Sequence, residues 1–246
     1  MLKRILPAAT HHSARRVWMK TVHFGFSRYC PVCENHVKSF LTHGLPARPD
    51  ALCPICGSKE PHRLAWLFFR RRTTLFHERL SMLHIAPERE IEKRLSSQTN
   101  LQYVSGDINP GPCSVKMDIT HMPFEDSSFD VIYCCHVLNM VRDDRAAIRE
   151  IGRVLKPSGW ALLQVPMSDT KTVEADDTPK ERLRLFMDAA MFRAYGADVL
   201  NRFEREALSV RVLHASEVVS VREEERFAIA GEKLLVCTKR EEFQCR

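Results

Sequence analysis

Short apolar segments alternate with polar or amphipathic segments along the chain from about residue 81 onward. Buried strands are predicted for the apolar segments SMLHIA, LQYVSGD, SVKMDI, SSFDVIYCCHVL and WALLQVP, the fourth of which we expect to pass into a helix. Before the fifth strand, apolar residues repeat at helical spacing until Pro157 and Gly159, which predicts a helix. Its apolar face consists of Ala147, Ile148, Ile151, Val154 and Leu155. This alternation predicts an α/β fold with a doubly wound, mostly parallel sheet.

Six further segments complete the predicted elements of this region. PEREIEKRLSS predicts a helix opened by Pro87, and the polar segment SDTKTVEADDTPKE predicts a loop over the carboxyl ends of the strands. RLRLFMDAAMFRAYGADVLNRFERE predicts a mostly helical segment. ALSVRVLHA and EKLLVCTKR predict two closing strands, with VREEERF as a charged connector between them. Earlier in the chain, LAWLFF predicts a core or interface helix, because it is far shorter than the roughly 18–20 residues of a membrane span.

Four of the nine cysteines form two C-x2-C pairs, Cys30 with Cys33 and Cys53 with Cys56, and nineteen residues separate the pairs. This spacing is typical of a structural zinc site, in which four thiolates complete a tetrahedral shell and leave no position for a substrate water. Two disulfides or free thiols are the alternative, and iron is the competing metal. Nothing in the sequence indicates secretion into an oxidising compartment, so we expect structural Zn²⁺ in a small ribbon that cannot fold without it.

The other five cysteines show no spacing of metal ligands. Three of them, Cys134, Cys135 and Cys237, lie in apolar, strand-like segments, and we expect them to be small buried side chains. Cys113 and Cys245 complete the set.

Positive charge is concentrated in the first 83 residues, which contain 14 Lys and Arg against 4 Asp and Glu, a balance of +10. The remainder contains 23 and 27, a balance of −4. Such a distribution suits a polyanion such as nucleic acid or an anionic membrane surface, although a solvated basic face without a partner is equally consistent. The first 20 residues lack the apolar core of a secretory signal and are typical of either a weak transit peptide or a short amphipathic helix. We expect a cytoplasmic protein.

The run DITHMPFEDSSFDVIYCCHVLNMVRDDRAAIREIGRVLKPSGWALLQVP resembles the class I S-adenosylmethionine-dependent methyltransferases, in particular the group with a type 11 methyltransferase domain. That group reads approximately D-x-x-x-L-P-F-x-D-x-S-F-D-x-V, then an apolar strand, then E-x-x-R-V-L-K-P-G-G. Ser158 replaces one glycine of the pattern. The matching residues are Pro123, Phe124, Asp126, Ser128, Phe129, Asp130, Glu150, Arg153, Val154, Leu155, Lys156, Pro157 and Gly159.

The whole layout is similar to a bacterial-type subgroup with an N-terminal C-P-x-C…C-P-x-C ribbon and an L-H-x-A-P-E turn in place of a glycine loop. The resemblance implies a Rossmann-like methyltransferase fold with a seven-stranded type of sheet. It divides the chain into a basic lead-in segment (1–26), a zinc-ribbon-like module (27–64), a linking helix (65–80), a methyltransferase domain (81–240) and a tail (241–246).

The resemblance also implies a site for S-adenosylmethionine at the carboxyl ends of the strands. Glu88 would face the ammonium group of the cofactor, which has no phosphate and therefore needs no glycine-rich nest of N–H groups. Asp107 would bind the ribose hydroxyls, since a carboxylate can accept two hydrogen bonds. Asp118 would hold the adenine edge, and His136 would be the catalytic residue at the mouth where the acceptor meets the methyl group. The implied cofactor contacts are His84, Ala86, Pro87, Glu88, Asp107, Ile108, Asp118, Ile119 and Cys135.

Three features depart from the family pattern. Only ten residues separate Asp107 from Asp118, too few for a crossover helix, so INPGPCSVKM is expected to be an extended loop. The family segment H-V-L-E-H ends here in Asn139 and Met140, and Met191 stands near the place of an expected histidine. These changes remove the most obvious general bases other than His136.

The leading hypothesis is an S-adenosylmethionine-dependent methyltransferase whose zinc ribbon serves folding or substrate docking. By family analogy, its acceptor is a hydroxyl of a sugar or of another small or glycan-linked molecule. One alternative is a nucleic-acid-binding protein or RNA-associated methyltransferase that uses the basic first half of the chain. Another is a non-catalytic partner protein that retains the methyltransferase fold. Peripheral contact with a membrane stays open, and the sequence specifies no oligomeric state.

Overall fold

The computed structural model describes residues 17–109, 115–168, 170–206 and 208–240. Predictions for the lead-in residues 1–16, Cys113, the middle of the loop after Asp107, and the tail with Cys245 lie outside these described residues. Helices occur at 17–22 (α1), Glu60–Arg72 (α2), Arg89–Leu95 (α3), Asp144–Val154 (α4), Pro179–Phe186 (α5), Val199–Arg205 (α6), Ala215–Val218 (α7) and Val221–Phe227 (α8), with a 3₁₀ turn at Leu138–Met140.

The strands fall into a small N-terminal group, a large central group and one further short pair. Antiparallel pairing joins β1 to β2 and β3 to β4, and these two hairpins carry the cysteine pairs. The strands are Arg28–Cys30 (β1), Asn35–Val37 (β2), Leu41–His43 (β3), Arg48–Leu52 (β4), Leu80–Ile85 (β5), Leu101–Asp107 (β6), Val115–Lys116 (β7), Phe129–Cys135 (β8), Leu155–Gln164 (β9), Val173–Glu174 (β10), Arg193–Ala194 (β11), Leu208–His214 (β12) and Lys233–Lys239 (β13).

A seven-stranded sheet in the order β12-β13-β9-β8-β5-β6-β7 forms the centre of the fold. The run from β9 through β8, β5 and β6 to β7 is parallel, whereas β13 pairs antiparallel with both β9 and β12. Helices cover both faces of this sheet. The predicted doubly wound, mostly parallel, Rossmann-like fold is confirmed.

Alternation along the strands divides the core between the two faces of the sheet. Met82 and Tyr133 point to one face, where they join a cluster formed by the ribbon, α2, α3, α7 and α8. Their neighbours Leu83 and Ile132 point to the other face, where they pack with α4 and α6. The ribbon therefore shares a hydrophobic core with one face of the sheet.

The apolar segment LAWLFF forms the buried centre of α2. We expected a linking helix over 65–80, but it occupies Glu60–Arg72 and lies directly on the sheet. The Phe68 ring packs edge to face on Trp160 of β9, with 5.7 Å between the ring centroids. The Phe69 ring packs in the same way on Tyr133 of β8, with 5.2 Å between the centroids. This helix is therefore part of the core, as the apolar run predicts.

The structure corrects the prediction of a mostly helical segment between residues 182 and 206. Two short helices, α5 and α6, flank the strand β11, which pairs with β10. A continuous helix is prevented because Arg193 is buried and donates to the carbonyl oxygens of Leu138 and Arg142. Gly196 passes so close to the backbone that a Cβ there would lie 2.0 Å from the carbonyl oxygen of Thr170.

Three smaller corrections concern element boundaries. The connector VREEERF is the helix α8, which starts with a capping box between Ser220 and Glu223. The segment after β8 is a 3₁₀ turn rather than a regular helix. Helix α4 ends at Val154, because Leu155 already pairs with Phe129 and begins β9.

The most recognisable motif residues support the loop between β7 and β8. Arg153 donates to the carboxylates of Glu150 and Asp126 and to the carbonyl oxygens of Met122 and Phe124. These bonds shape the segment that leads into β8.

Among the described residues, no helix has both the length and the apolar character to cross a membrane.

Candidate metal centre and cofactor site

The four paired cysteines converge within the ribbon. Their Sγ atoms all lie within 4.8 Å of one another, with 3.7 Å between Cys30 and Cys56 and 3.8 Å between Cys33 and Cys53. A tetrahedral site with Zn–S bonds of about 2.3 Å places its sulfur atoms about 3.8 Å apart. The side chains therefore fit a tetrahedral ion without rearrangement. Ser58 Oγ lies 3.2 Å from the Sγ atoms of Cys30 and Cys56, where it accepts from Cys56 and is hydrogen-bonded to Cys30.

Each cysteine pair sits on a tight turn. The N–H of Glu34 donates to the carbonyl oxygen of Cys30 at 2.8 Å, and the N–H of Gly57 donates to that of Cys53 at 2.9 Å. Glu34 and Gly57 occupy the same left-handed position, with φ of 57° and 85°. The two turns therefore share the same backbone conformation.

Arg63 connects the ribbon to the last part of the central domain. Its side chain is fully buried, and its guanidinium donates to five carbonyl oxygens. Three acceptors belong to the ribbon region and two to the end of α8, at sequence separations of 164 and 165. Since an arginine has five N–H groups, all of them are satisfied. The acceptors are Asp50, Ala51, Ser58, Phe227 and Ala228.

At the carboxyl end of β5, the turn without glycines adopts a conformation that favours glycine. Ala86 has φ of 49°, and its N–H donates to the carbonyl oxygen of Gly106 in β6 at 2.8 Å. A residue with a Cβ in this region costs roughly 1 kcal/mol. His136, at the end of the adjacent strand β8, is also left-handed, with φ of 56°. Both strand ends at the candidate site therefore have strained backbone, as functional sites often do.

Glu88 follows this turn and is held by a chain of buried polar groups. His84 is fully buried, with Nε2 3.0 Å from Glu88 Oε2 and Nδ1 2.8 Å from the Tyr103 hydroxyl. Burial raises the pKa of Glu88, but the hydrogen bond from His84 and the nearby His84 and His62 lower it more, so the net shift is downward. Glu88 is therefore an ionised carboxylate near neutral pH.

Asp107 and Asp118 lie at the same edge of the sheet. Asp107 is the last residue of β6, and Asp118 follows β7. Asp107 Oδ1 accepts the N–H of Asn109 at 2.9 Å, and Asp118 Oδ1 accepts the N–H of Thr120 at 2.8 Å. Beside them, Ile119 is buried, whereas Ile108 is 59% exposed. The exposed apolar side chain provides a surface for a planar ring, and the neighbouring carboxylate provides an acceptor for hydroxyl groups.

Cys135 and His136 complete the edge at the end of β8. Cys135 is buried, and its Sγ lies within 4.8 Å of ligand atoms of Glu88 and His62. Burial, with a smaller contribution from the nearby His62, lowers the pKa of His136 to about 4. The His136 imidazole is therefore neutral at physiological pH. Two residues after His136 depart from the family pattern. Of these, Asn139 is buried and Met140 is 43% exposed.

The structure adds a residue to this edge that the sequence pattern did not indicate. His62, in the first turn of α2, is buried, and its Nε2 lies 3.8 Å from Glu88 Oε1. The start of α2 is fixed there because Gln164, at the end of β9, donates to the carbonyl oxygen of Pro61 at 3.0 Å. The only signal in the sequence is a histidine six residues after Cys56 and two residues before the apolar run LAWLFF.

The basic first half of the chain is partly neutralised by acidic partners. Four of its arginines, among the residues that the structure describes, form salt bridges of 2.8–3.1 Å. These pairs reduce the positive charge that is free to attract a polyanion, and contact with nucleic acid stays a prediction. The pairs are Arg28–Asp50, Arg48–Glu60, Arg70–Glu34 and Arg71–Glu223.

Comparison with known families identifies the central part of the chain. Residues 56–163 match the model of a family described as "Methyltransferase domain". These residues are similar to a methyltransferase domain. The match runs from the last ribbon cysteine through α2 to β9, and it confirms the resemblance and the predicted enzyme class at the level of this domain. It also includes α2, in agreement with the packing of that helix on the sheet.

Two curated relatives match shorter segments of the chain. The YafS protein of Escherichia coli (strain K12) is 38% identical over 52 residues, which are 21% of this chain and 22% of that protein. A protein named "Uncharacterized methyltransferase YcgJ" from Bacillus subtilis (strain 168) is 48% identical over 42 residues, 17% of each chain. The matched segments thus span about one fifth of these relatives.

One of the solved structures that resemble this chain is that of a methyltransferase. The Burkholderia thailandensis 1,6-didemethyltoxoflavin-N1-methyltransferase, with 1,6-didemethyltoxoflavin and S-adenosylhomocysteine bound, is 12% identical. The alignment covers 72% of this chain and 76% of that chain, with a TM-score of 0.49.

Proposed function

We propose that the chain binds S-adenosylmethionine at the carboxyl edge of its parallel strands and transfers the methyl group to a small acceptor. The observation that carries this proposal is the gathering of chemically suitable side chains at four adjacent strand ends within the matched domain. They are Glu88 after β5, Asp107 at the end of β6, Asp118 after β7 and His136 after β8. In open α/β sheets, ligands bind at this edge.

The available donor and acceptor groups fit the chemistry of this cofactor. Glu88 is an ionised carboxylate that suits an ammonium group, and the turn at Ala86 brings the backbone of β5 close to the same place. Asp107 offers an oxygen for vicinal hydroxyls, and the exposed Ile108 offers an apolar surface for a purine. When bound, S-adenosylmethionine would supply a methyl group activated by the positive sulfonium.

His136 is the proposed catalytic residue, and a hydroxyl of a small or glycan-linked molecule is the proposed acceptor. A neutral imidazole can accept a hydrogen bond from a hydroxyl and orient its oxygen for an in-line displacement, in which positioning supplies much of the rate. With a pKa of about 4, His136 is a weak base, so its main contribution is orientation.

The ribbon is proposed to hold one structural Zn²⁺ through Cys30, Cys33, Cys53 and Cys56. Four sulfur ligands at tetrahedral spacing leave no open coordination position, so the ion would stabilise the ribbon rather than take part in methyl transfer. The buried contacts of Arg63 would extend that stabilisation to the central domain.

Calorimetric titration of the zinc-loaded protein with S-adenosylhomocysteine tests the proposed site. We expect binding to the wild type and a loss of affinity of at least about tenfold in Asp107→Asn, because a charged acceptor is lost. The matched control is Asp126→Asn, a carboxylate that is 77% exposed and forms a salt bridge with Arg153. Its affinity should stay within about twofold of the wild type. No binding by the wild type at millimolar ligand would overturn the proposed function.

A further inference from the structure

We propose that His62 is a positioning residue for Glu88, through which the metal-bound ribbon sets the affinity for the amino-acid end of the cofactor. This inference rests on the proposed function and extends it to the cover segment, which we define as residues 53–62. That segment consists of the second cysteine pair and the first turn of α2.

The cover segment lies directly against the candidate cofactor turn. A Cβ on Gly57 would lie 2.7 Å from the Glu90 carboxylate, which places the second cysteine turn on the first turn of α3. At its other end, the carbonyl oxygen of Pro61 accepts a hydrogen bond from Gln164, whose own carbonyl oxygen accepts the N–H of His136 at 2.8 Å. The cover segment is thus fixed to the ends of both β8 and β9.

Hydrogen bonds assign the proton on His62. The N–H of Lys59 lies 3.4 Å from His62 Nδ1, which acts as an acceptor, so in the neutral imidazole Nε2 carries the hydrogen. That nitrogen is 3.8 Å from Glu88 Oε1. This distance is too long for a full hydrogen bond, but it is short enough for the N–H dipole to hold the carboxylate in place.

Glu88 is therefore held from two sides by two different parts of the molecule. Its Oε2 accepts from His84, which the Tyr103 hydroxyl fixes in turn, and both belong to the central sheet. Its Oε1 faces His62 of the cover segment, at a distance that leaves this oxygen able to accept from a cationic ligand. Loss of His62 would remove the contact from the cover segment and leave the contact between Oε2 and His84. Disturbance of the cysteine cluster would shift His62 along with the cover segment.

Two substitutions separate positioning by an N–H group from simple filling of space. His62→Leu removes the donor and keeps an apolar side chain of similar size. His62→Gln retains an N–H donor at nearly the place of Nε2. We expect His62→Leu to lower the affinity for S-adenosylhomocysteine by about tenfold, and His62→Gln to stay within about threefold of the wild type. Zinc content should stay at one ion per chain in both.

A truncated ligand shows where the effect acts. 5′-Methylthioadenosine has the nucleoside but lacks the ammonium and carboxylate groups, so its affinity should be the same for the wild type and His62→Leu. If both ligands lose affinity equally, or if neither loses any, the positioning role is wrong while binding by the wild type leaves the proposed function intact. If the wild type binds neither ligand, the proposed function itself fails.

Discussion

The cysteine cluster and the carboxyl edge of the sheet show how a closed site differs from an open one. The four cysteines would saturate the coordination of a tetrahedral ion. Two pairs of their sulfur atoms lie 3.7 and 3.8 Å apart, and three of the cysteines are buried. At the sheet edge, by contrast, Asp107 is half-buried, Asp118 is exposed and Ile108 is 59% exposed. The first arrangement is closed and suits a structural ion. The second would be completed only by a ligand.

Loss of one cysteine ligand should have the largest effect and tests whether the closed site is structural. We expect Cys33→Ser to lose the bound metal and to lower the free energy of unfolding by about 5 kcal/mol or more, since the ribbon lacks an independent core. Metal content and urea unfolding measure these two changes. The matched control is Cys237→Ala, a buried cysteine outside the cluster, which should retain the metal and lose at most about 2 kcal/mol. Equal losses would contradict a structural ion.

Replacement of Arg63 tests whether the two regions are one cooperative unit. We expect Arg63→Met to lower the free energy of unfolding by about 3–5 kcal/mol, because five buried carbonyl oxygens lose their donor. Arg71→Met removes an exposed pair with Glu223 and should cost less than about 1 kcal/mol. If the two variants unfold at the same urea concentration, the ribbon and the sheet are not linked through Arg63.

The pKa of His136 tests how far the open site is shielded from water. Burial lowers this pKa from 6.5 to about 4, so the imidazole should stay neutral between pH 5.5 and 8. Because the pKa is lower in the folded chain, the stabilising contribution is present above about pH 6.5 and is lost as the pH falls toward 4, by about 3 kcal/mol in total. The NMR shifts of the ring, assigned with His136→Gln, measure the titration. A midpoint near 6.5 would show a solvated edge.

The smallest expected effect concerns backbone strain at the open site. Ala86→Gly should leave stability unchanged or raise it by up to about 1 kcal/mol, since Ala86 has φ of 49°. Ala65→Gly, in the middle of α2, should instead lower stability by about 1 kcal/mol. Thermal unfolding compares the two. A loss of equal size in both variants would show that the turn at Ala86 is not strained.

Local patterns in the sequence predicted much of this architecture. Apolar runs of strand length identified the strands of the parallel sheet, and the spacing of the cysteines predicted the cluster that the ribbon forms. The strand-end residues, among them Glu88, Asp107 and His136, lie along the predicted edge. Their roles in cofactor binding and catalysis stay predictions.

Contacts between distant parts of the chain explain what the sequence did not predict. Arg63 bonds to carbonyl oxygens 164 and 165 residues away, and no local pattern indicates such a partner. His62 reaches Glu88 only because α2 starts directly over the strand ends. Likewise, Arg193 is buried in the strand β11, where a helix was expected. These features depend on tertiary packing, which periodicity does not encode.

The most direct measurement is a crystal structure of the zinc-loaded protein with S-adenosylhomocysteine. We predict four sulfur ligands on one ion in the ribbon, ribose hydroxyls on Asp107 and the ligand ammonium at Glu88 Oε1 beside His62. A ligand bound elsewhere, with Asp107 and Glu88 making no contact to it, would contradict the division into a closed structural site and an open cofactor site.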